Sequence, residues 1–318
     1  MCAKMFRHAG FRLLQLVLML VVLSLVTFVL MKMAPGDPVL AILKADERPV
    51  TEANQLTVRQ ALGLDKPLYQ QYGDWVAQVA RLDMGRSYTT NQDVWQLLTE
   101  RLPATASLML SSMLALLVFA VPLGLLAAVY YGRSVDHASR IIALLGASIP
   151  SFWLGLLLIY LFAYRLSWLP MMGGGSLRHL ILPSVTLGFV MAPEYIRLLR
   201  AGLLEGLSQE YIRAARARGI REWRVTAIYA MRPALLPVVS LLGMSMGALM
   251  AGSVVTESLF GWPGLGSMAM EAIAQRNYPV IQGYILLTGL FIGLANWLSD
   301  VGLMLLDPKI RHEKGMSA

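Results

Sequence analysis

The feature that most constrains this chain is a series of long apolar runs. A helix needs about 20 apolar residues to cross a bilayer. Six stretches reach that length: about 11–33, 104–131, 139–165, 181–203, 235–257 and 281–306. Each is apolar on all faces, which marks a membrane span rather than an amphipathic surface helix. The predicted fold class is all-α, a polytopic transmembrane protein with six membrane-spanning helices. The fourth stretch is the least regular, since it holds Pro183, Pro193 and Glu194.

Composition agrees. Of 318 residues, 57% are apolar and 14% charged, against about 25% charged in a soluble domain. The first run is too long for the h-region of a signal peptide, and no small-residue cleavage pattern ends it, so it reads as a retained span. One cysteine, Cys2, excludes an internal disulfide and a multi-cysteine metal site. His8, His137, His179 and His312 lie far apart, and no paired metal-ligand spacing exists. No metal site is predicted. Met171 and Met172 flank a predicted outer mouth, where soft sulfur could meet a metal, although Met more often fills apolar cores.

The net charge of +8 is read as cytoplasmic bias rather than nucleic-acid binding, because the cations cluster between apolar runs. Lys4, Arg7 and Arg12 precede the first run. Arg133 and Arg140 lie between the second and third. Arg197, Arg200, Arg213, Arg216, Arg218, Arg221, Arg224 and Arg232 lie between the fourth and fifth, and Lys309, Arg311 and Lys314 follow the sixth. An even number of spans puts all four groups on one side, which the positive-inside rule makes the cytoplasm. Both termini are then cytoplasmic. The chain divides into an N-terminal segment and first span (1–33), an extracytoplasmic region (34–103) and a five-helix core (104–318) with a cytoplasmic loop at about 204–234. In the outer region, turn signals stand at Pro35–Pro38 and Gly63. Residues 65–82 space Leu68, Tyr72, Trp75, Val76, Val79 and Leu82 as a short helix. That helix either packs its own aromatics in a solvated loop or meets an external partner.

The polar island between the fourth and fifth runs carries the functional signal. Ser208 is a suitable N-cap, and Glu210 places a negative charge in the first turn. No Gly or Pro interrupts 209–218, and Gly219 supplies a C-cap. A short helix over about 209–218 follows. Tyr211, Ala214, Ala215 and Arg218 share one face by their spacing, and the two alanines let the helix sit deep in a groove. A second helical piece over 222–231 ends before Pro233. Charge alone would equally suit contact with anionic lipid headgroups; the capped helix with small residues argues for a docked protein. Arg213 is also on this helix.

Tyr211-Ile-Arg-Ala-Ala-Arg-Ala-Arg-Gly219 followed by Arg232-Pro-Ala-Leu-Leu-Pro237 resembles the conserved cytoplasmic loop of binding-protein-dependent ABC importer permeases, the EAA motif. Arg213, where Glu is usual, and the distant Pro237 resemble the dipeptide/oligopeptide/nickel branch. Other segments agree in order: Met33-Ala-Pro-Gly-Asp-Pro38, Leu62-Gly-Leu-Asp-Lys-Pro-Leu68, Arg101-Leu-Pro-Ala-Thr105, Gly146-Ala-Ser-Ile-Pro-Ser-Phe-Trp153, Glu257-Ser-Leu-Phe-Gly-Trp-Pro-Gly-Leu-Gly266 and Leu306-Asp-Pro308. The resemblance implies the ABC importer permease fold, in the bacterial inner membrane. It implies an ATPase-coupling role for Glu210, Tyr211, Arg213, Ala214, Ala215, Arg218 and Gly219. It also implies a heterodimer with a second permease, two ATP-binding subunits that carry ATP and Mg, and an extracytoplasmic binding protein. The chain itself has no phosphate-cradling G-x-x-x-x-G-K-[ST] run, so no bound cofactor and no catalysis are predicted for it.

In the fifth run, Gly243-x-x-x-Gly247 lets helices approach closely. Ser240, Gly243, Gly247, Ser253 and Glu257 either pack within the monomer or line a path at a subunit interface. Glu257, near the outer end of that run, reads as hydrated or capping the next turn. The short loop from Met171 to His179 resembles nickel-type members more than peptide-type ones, so the substrate leans toward nickel or a metal chelate over a di- or oligopeptide. A stand-alone channel or secondary transporter is the alternative, and it would show mid-span coupling charges or inverted repeats.

Overall fold

The computed structural model describes residues 2–33, 39, 51–61 and 63–306. The Pro35–Pro38 turn, Leu62, the Asp307-Pro308 pair and the basic tail at Lys309, Arg311 and Lys314 lie outside these residues. The described elements are helices: α1 (Cys2–Met33), α2 (Glu52–Ala61), α3 (Leu68–Val79), α4 (Val94–Val129), α5 (Ser134–Ser148), α6 (Ser151–Leu158), α7 (Leu177–Leu207), α8 (Glu210–Ala217), α9 (Glu222–Arg224), α10 (Met231–Phe260), α11 (Leu265–Ala274) and α12 (Tyr278–Leu306). A single bridge joins Arg86 and Asp93. Five helical stretches are long and apolar enough to span, or six if α5 and α6 count as one.

The third apolar run is the main departure from simple spans. It is broken between α5 and α6 by a bend of 105°. The residue before a proline is pushed out of the helical region, and Ile149, before Pro150, is extended at φ −85°, ψ 124°. The run then closes as a π-helical turn over Ile159–Arg165. The fifth run departs in the other direction. The piece beginning at Glu222 does not stop before Pro233. It passes through a π-helical turn, Val225–Ala230, directly into α10, giving one helical stretch Glu222–Phe260. Beyond α10 the chain turns at Gly261 and enters α11, which the sequence reading did not foresee, and α2 was likewise unforeseen.

The chain forms two compact units. One comprises Met1–Thr105 with Pro263–Leu294, the other Ala106–Trp262 with Ala295–Ala318. They cut across the segments 1–33, 34–103 and 104–318, because residues of the outer region pack on the end of the chain. In the first unit the Asn277 side chain accepts from the Tyr88 backbone N–H (3.1 Å) and donates to the Ser87 and Thr89 hydroxyls (2.7 and 3.1 Å). Burial, with Tyr278 alongside, pushes the Tyr88 hydroxyl up to about 12. Helix α3 begins at Pro67 and lays Tyr72 and Trp75 on Phe28 of α1, with ring centroids 5.3 and 6.1 Å apart. Leu82, expected on the α3 face, is instead exposed with φ 63°.

The second unit is organised on α7. Its neighbours approach at small residues. Gly202 lies against the Ala234 backbone in the first turn of α10, and Gly206 against Ala230 in the π-helical turn before it. Gly188 lies against Leu116 and Ser112 of α4, and Gly146 of α5 against Pro193. Side-chain hydroxyls tie the same contacts: Ser111 with Ser184 at 2.6 Å, and the Tyr195 hydroxyl donating to Ser245 at 2.5 Å. At Gly188 an added Cβ would stand 2.7 Å from the Leu116 backbone nitrogen. Backbone cannot yield as a side-chain tip does, so Gly188→Val is expected to cost about 1–3 kcal/mol or more by overpacking. A thermal melt of the detergent-solubilised protein checks it. A melting point unchanged from wild type would contradict this account of the α4–α7 contact.

Candidate coupling site

The connection between α7 and α10 is built from the residues that leave the apolar core. Helix α7 runs on to Leu207, and its last turn is stitched by the Ser208 hydroxyl donating back to the Glu205 carbonyl at 2.7 Å. Ser208 therefore ends α7 and does not cap α8. The N-cap of α8 is Gln209, with extended backbone and no side-chain capping bond. Glu210 occupies the first turn, as expected, where its charge suits the helix dipole.

The other end of α8 meets the expectation closely. Gly219 has φ +73°, the left-handed conformation in which a Cβ would be strained. Its N–H bonds to the Arg216 carbonyl at 2.9 Å, and the Ile220 N–H bonds to the Ala215 carbonyl at 3.2 Å. This pair of bonds is a Schellman cap. Half-buried Ile220 folds onto the core as its apolar partner.

Two side chains seat α8 on its own chain. Ile212 is 0% and Ala215 4% exposed, and both join the core with Leu199, Leu203, Val225, Ala230 and Ala234. The shared face expected for Tyr211, Ala214, Ala215 and Arg218 is thus split. Ala215 points inward with Ile212, three residues before it on the same face. Glu210, Tyr211, Arg213, Ala214, Arg218 and Gly219 are exposed. Ile212 was legible only as an apolar residue in a polar run. Beyond the cap, Arg216 makes a two-pronged ion pair with Glu222 (2.8 and 3.1 Å), and Arg224 stacks over exposed Trp223 at 5.2 Å. The result is a basic, aromatic surface on a short, rigid helix.

One turn deeper, the sequence reading missed a clamp. Arg200 of α7 donates to both carboxylate oxygens of Asp136 at 2.8 Å, and Asp136 also accepts from the Gly132 N–H at 3.0 Å. The guanidinium lies 5.2 Å from the Tyr131 ring centroid. Asp136 is 1% exposed. The clamp fixes the α4–α5 turn to α7 just above the seat of α8.

The residues expected along a path are scattered. Gly243 and Ser240 face Ser299 of α12: the hydroxyl of Ser299 lies 3.4 Å from the Ser240 carbonyl, and a Cβ at Gly243 would overlap Ser299. Gly247 is half-buried. Ser253 is buried and donates to the Met250 carbonyl at 2.9 Å. Glu257 is 0% exposed, so of the two readings, hydration or capping of the next turn, hydration fails. Its carbonyl accepts the Trp262 N–H at 2.8 Å, which shapes the turn at Gly261.

Residues 120–312 match the family described as the binding-protein-dependent transport system inner membrane component, and residues 5–109 match its N-terminal region. The chain belongs to this family. It is an inner-membrane permease component of an importer served by a binding protein. It is 38% identical to the di/tripeptide transport system permease protein DppB of Pseudomonas aeruginosa strain UCBPP-PA14, over 92% of this chain and 94% of that one. It is 39% identical to the glutathione transport system permease protein GsiC of Escherichia coli strain K12, over 95% of this chain and 98% of that one. Among solved structures it resembles a chain of the MetNI methionine ABC transporter in an inward-facing conformation, with a TM-score of 0.57 and 20% identity, covering 67% of this chain and 97% of that one. That likeness concerns the fold.

The seat of α8 yields a prediction. Ile212→Ala removes the larger of two anchors and is expected to cost about 2–5 kcal/mol locally. Amide exchange over 209–220 should accelerate strongly while α7 and α10 stay protected. Uniform protection would show that the cap and loop alone hold α8. Asp136→Asn leaves Arg200 without its charge partner, at an expected cost of about 3–5 kcal/mol for breaking a buried pair, read as a lowered melting point.

Proposed function

We propose that this chain is one half of the translocation path of an ATP-driven importer of short peptides, and that α8 is the helix gripped by an ATPase subunit. The observation that carries the reading is the division of α8: two residues bury it on its own chain, and the rest of its surface is exposed. A helix held so firmly by so little moves as a unit with α7 and α10. The α8 cap, the Arg216–Glu222 pair and the Arg200–Asp136 clamp all stiffen the same lever.

Glu210, Tyr211, Arg213, Ala214 and Arg218 are the contacts, and Gly219 sets the angle at which they are offered. Ala215 acts from within, as packing. The partners are a second permease, two ATP-binding subunits that hold ATP and Mg, and an extracytoplasmic binding protein. The cation distribution supports cytoplasmic termini and a cytoplasmic α8. ATP-driven closure of the ATPase pair would bias a two-state membrane core through differential contacts with α8. Catalysis stays with the ATPases.

The relatives at 38–39% identity are named for di/tripeptide and glutathione transport. Both names support short peptides over nickel, against the lean drawn from the Met171–His179 loop. That loop is locally satisfied. Gly173 donates to the Phe260 carbonyl at 2.9 Å, and His179 pairs with Ser176 at 2.8 Å.

The test is co-purification from native membranes with ATP-dependent peptide uptake in proteoliposomes. Ala214→Trp and Tyr211→Ala should each detach the ATPase and lower uptake at least tenfold. Melting points should stay near wild type, since exposed substitutions usually cost within about 0.5 kcal/mol. Retained ATPase binding and uptake in both variants would end the coupling assignment.

A further inference from the structure

A second feature of α7 is left unused by the coupling site. An open groove of about 510 Å³ lies between α7 and α10, lined by Glu194, Arg197 and Leu198 of α7 and by Pro237, Ser240, Leu241 and Met244 of α10. Its volume falls within the ~300–1,000 Å³ of small-molecule clefts. At ~1.5 Å rise per residue, Glu194 stands within about 3 Å and Arg197 within about 8 Å of the midpoint of α7. Both lie within the fourth apolar run, 181–203, toward the end that also carries Arg200.

Both side chains are exposed, and neither forms an ion pair or hydrogen bond with another described residue. The contrast with Arg200, three residues on, is direct: there the same helix meets a carboxylate in a two-pronged pair. Ionised groups at membrane depth do not face lipid. This groove must face a polar occupant. Glu194 and Arg197 stand at i and i+3, so their Cβ atoms lie about 5–6 Å apart on one face. They offer opposite charges side by side. The rest of the lining is apolar apart from Ser240, and Met244 is the adaptable kind of side chain that tolerates variable groups.

We infer that this groove is a transient contact site for the two charged ends of a zwitterionic short peptide, with Glu194 receiving the ammonium and Arg197 the carboxylate. The inference rests on the proposed import function and names the residues that meet the solute on its way. A guanidinium takes a carboxylate through paired hydrogen bonds. A dipeptide spans about 7 Å at ~3.3–3.6 Å per residue, which two flexible side chains from neighbouring turns can bracket. The open groove suits weak holding, which transit requires.

The experiment uses the whole complex, with both permeases, ATPases and binding protein, in proteoliposomes loaded with Ala-Ala. Peptides imported per ATP hydrolysed are measured for wild type, Glu194→Gln, Arg197→Gln, Glu194→Asp and Arg197→Lys. Each charge-removing variant should lower that ratio about tenfold, the effect of losing one charge-assisted hydrogen bond, and each charge-keeping variant should recover most of it. Damage to folding lowers import and hydrolysis together and leaves the ratio unchanged; a loss of coupling lowers the ratio without recovery in Glu194→Asp or Arg197→Lys, and that outcome overturns the proposal. An unchanged ratio in both Gln variants overturns the proposal. So does loss of the second permease from the complex on either Gln substitution, which would make the face a subunit interface. A wild-type complex that imports no peptide overturns the import reading itself, independently of the variants.

Discussion

Everything in the second unit hangs on how closely α7 and the chain leading into α10 approach. In an apolar solvent no hydrophobic gain draws two helices together; contact must come from packing and hydrogen bonds. Gly202 against Ala234 and Gly206 against Ala230 bring the backbones together, and the Tyr195–Ser245 hydrogen bond fixes their register. Helix α8 can then be seated by Ile212 and Ala215 alone. A larger residue at Gly206 would part the helices and leave those two anchors with no common floor.

The spans were legible because bilayer length is a one-dimensional constraint, readable from runs of Leu, Val, Ala and Met. The C-terminal cap of α8 was legible for a similar reason: only Gly219 in that segment accepts a positive φ without strain. The N-cap was not. Ser208 has the right chemistry, but its hydroxyl reaches the Glu205 carbonyl one turn back, so capping was lost to a local competitor of the kind Ser offers. The broken third run carried its own signal, Pro150 with Ile149 before it, outweighed in the reading by uninterrupted hydropathy. The opposite error occurred at Pro233, where the helix persists. A proline removes one donor, and a π-helical turn just upstream, Val225–Ala230, re-spaces the backbone. Single-residue rules cannot tell these two prolines apart; the neighbouring packing decides.

Charge gave the least reliable reading residue by residue, although its sum was informative. Eight arginines from Arg197 to Arg232 looked equivalent. The structure sorts them by partner. Arg200 is locked to Asp136, Arg216 to Glu222, and Arg224 lies on Trp223. No periodicity could pair Arg200 with Asp136 across so long a separation. Glu257 shows the same gap from the other side: near a span end in sequence, it is enclosed in three dimensions.

That sorting bears on how a permease stores its two states. A lever must be stiff where force enters and yielding where the solute passes. Around α8 three features are committed: the Schellman cap, the Arg216–Glu222 pair and the Arg200–Asp136 clamp each hold a turn to its neighbour. One to two turns toward the middle of α7, Glu194 and Arg197 are left uncommitted beside α10. A buried pair such as Arg200–Asp136 is costly to break once formed, so motion will not be absorbed there. Along the groove Glu194 and Arg197 hold no such pair, and a neutral hydrogen bond, Tyr195 to Ser245, ties α7 to α10 there. On the proposed function, the element that would transmit the stroke and the face that would meet the solute are successive segments of the same two helices.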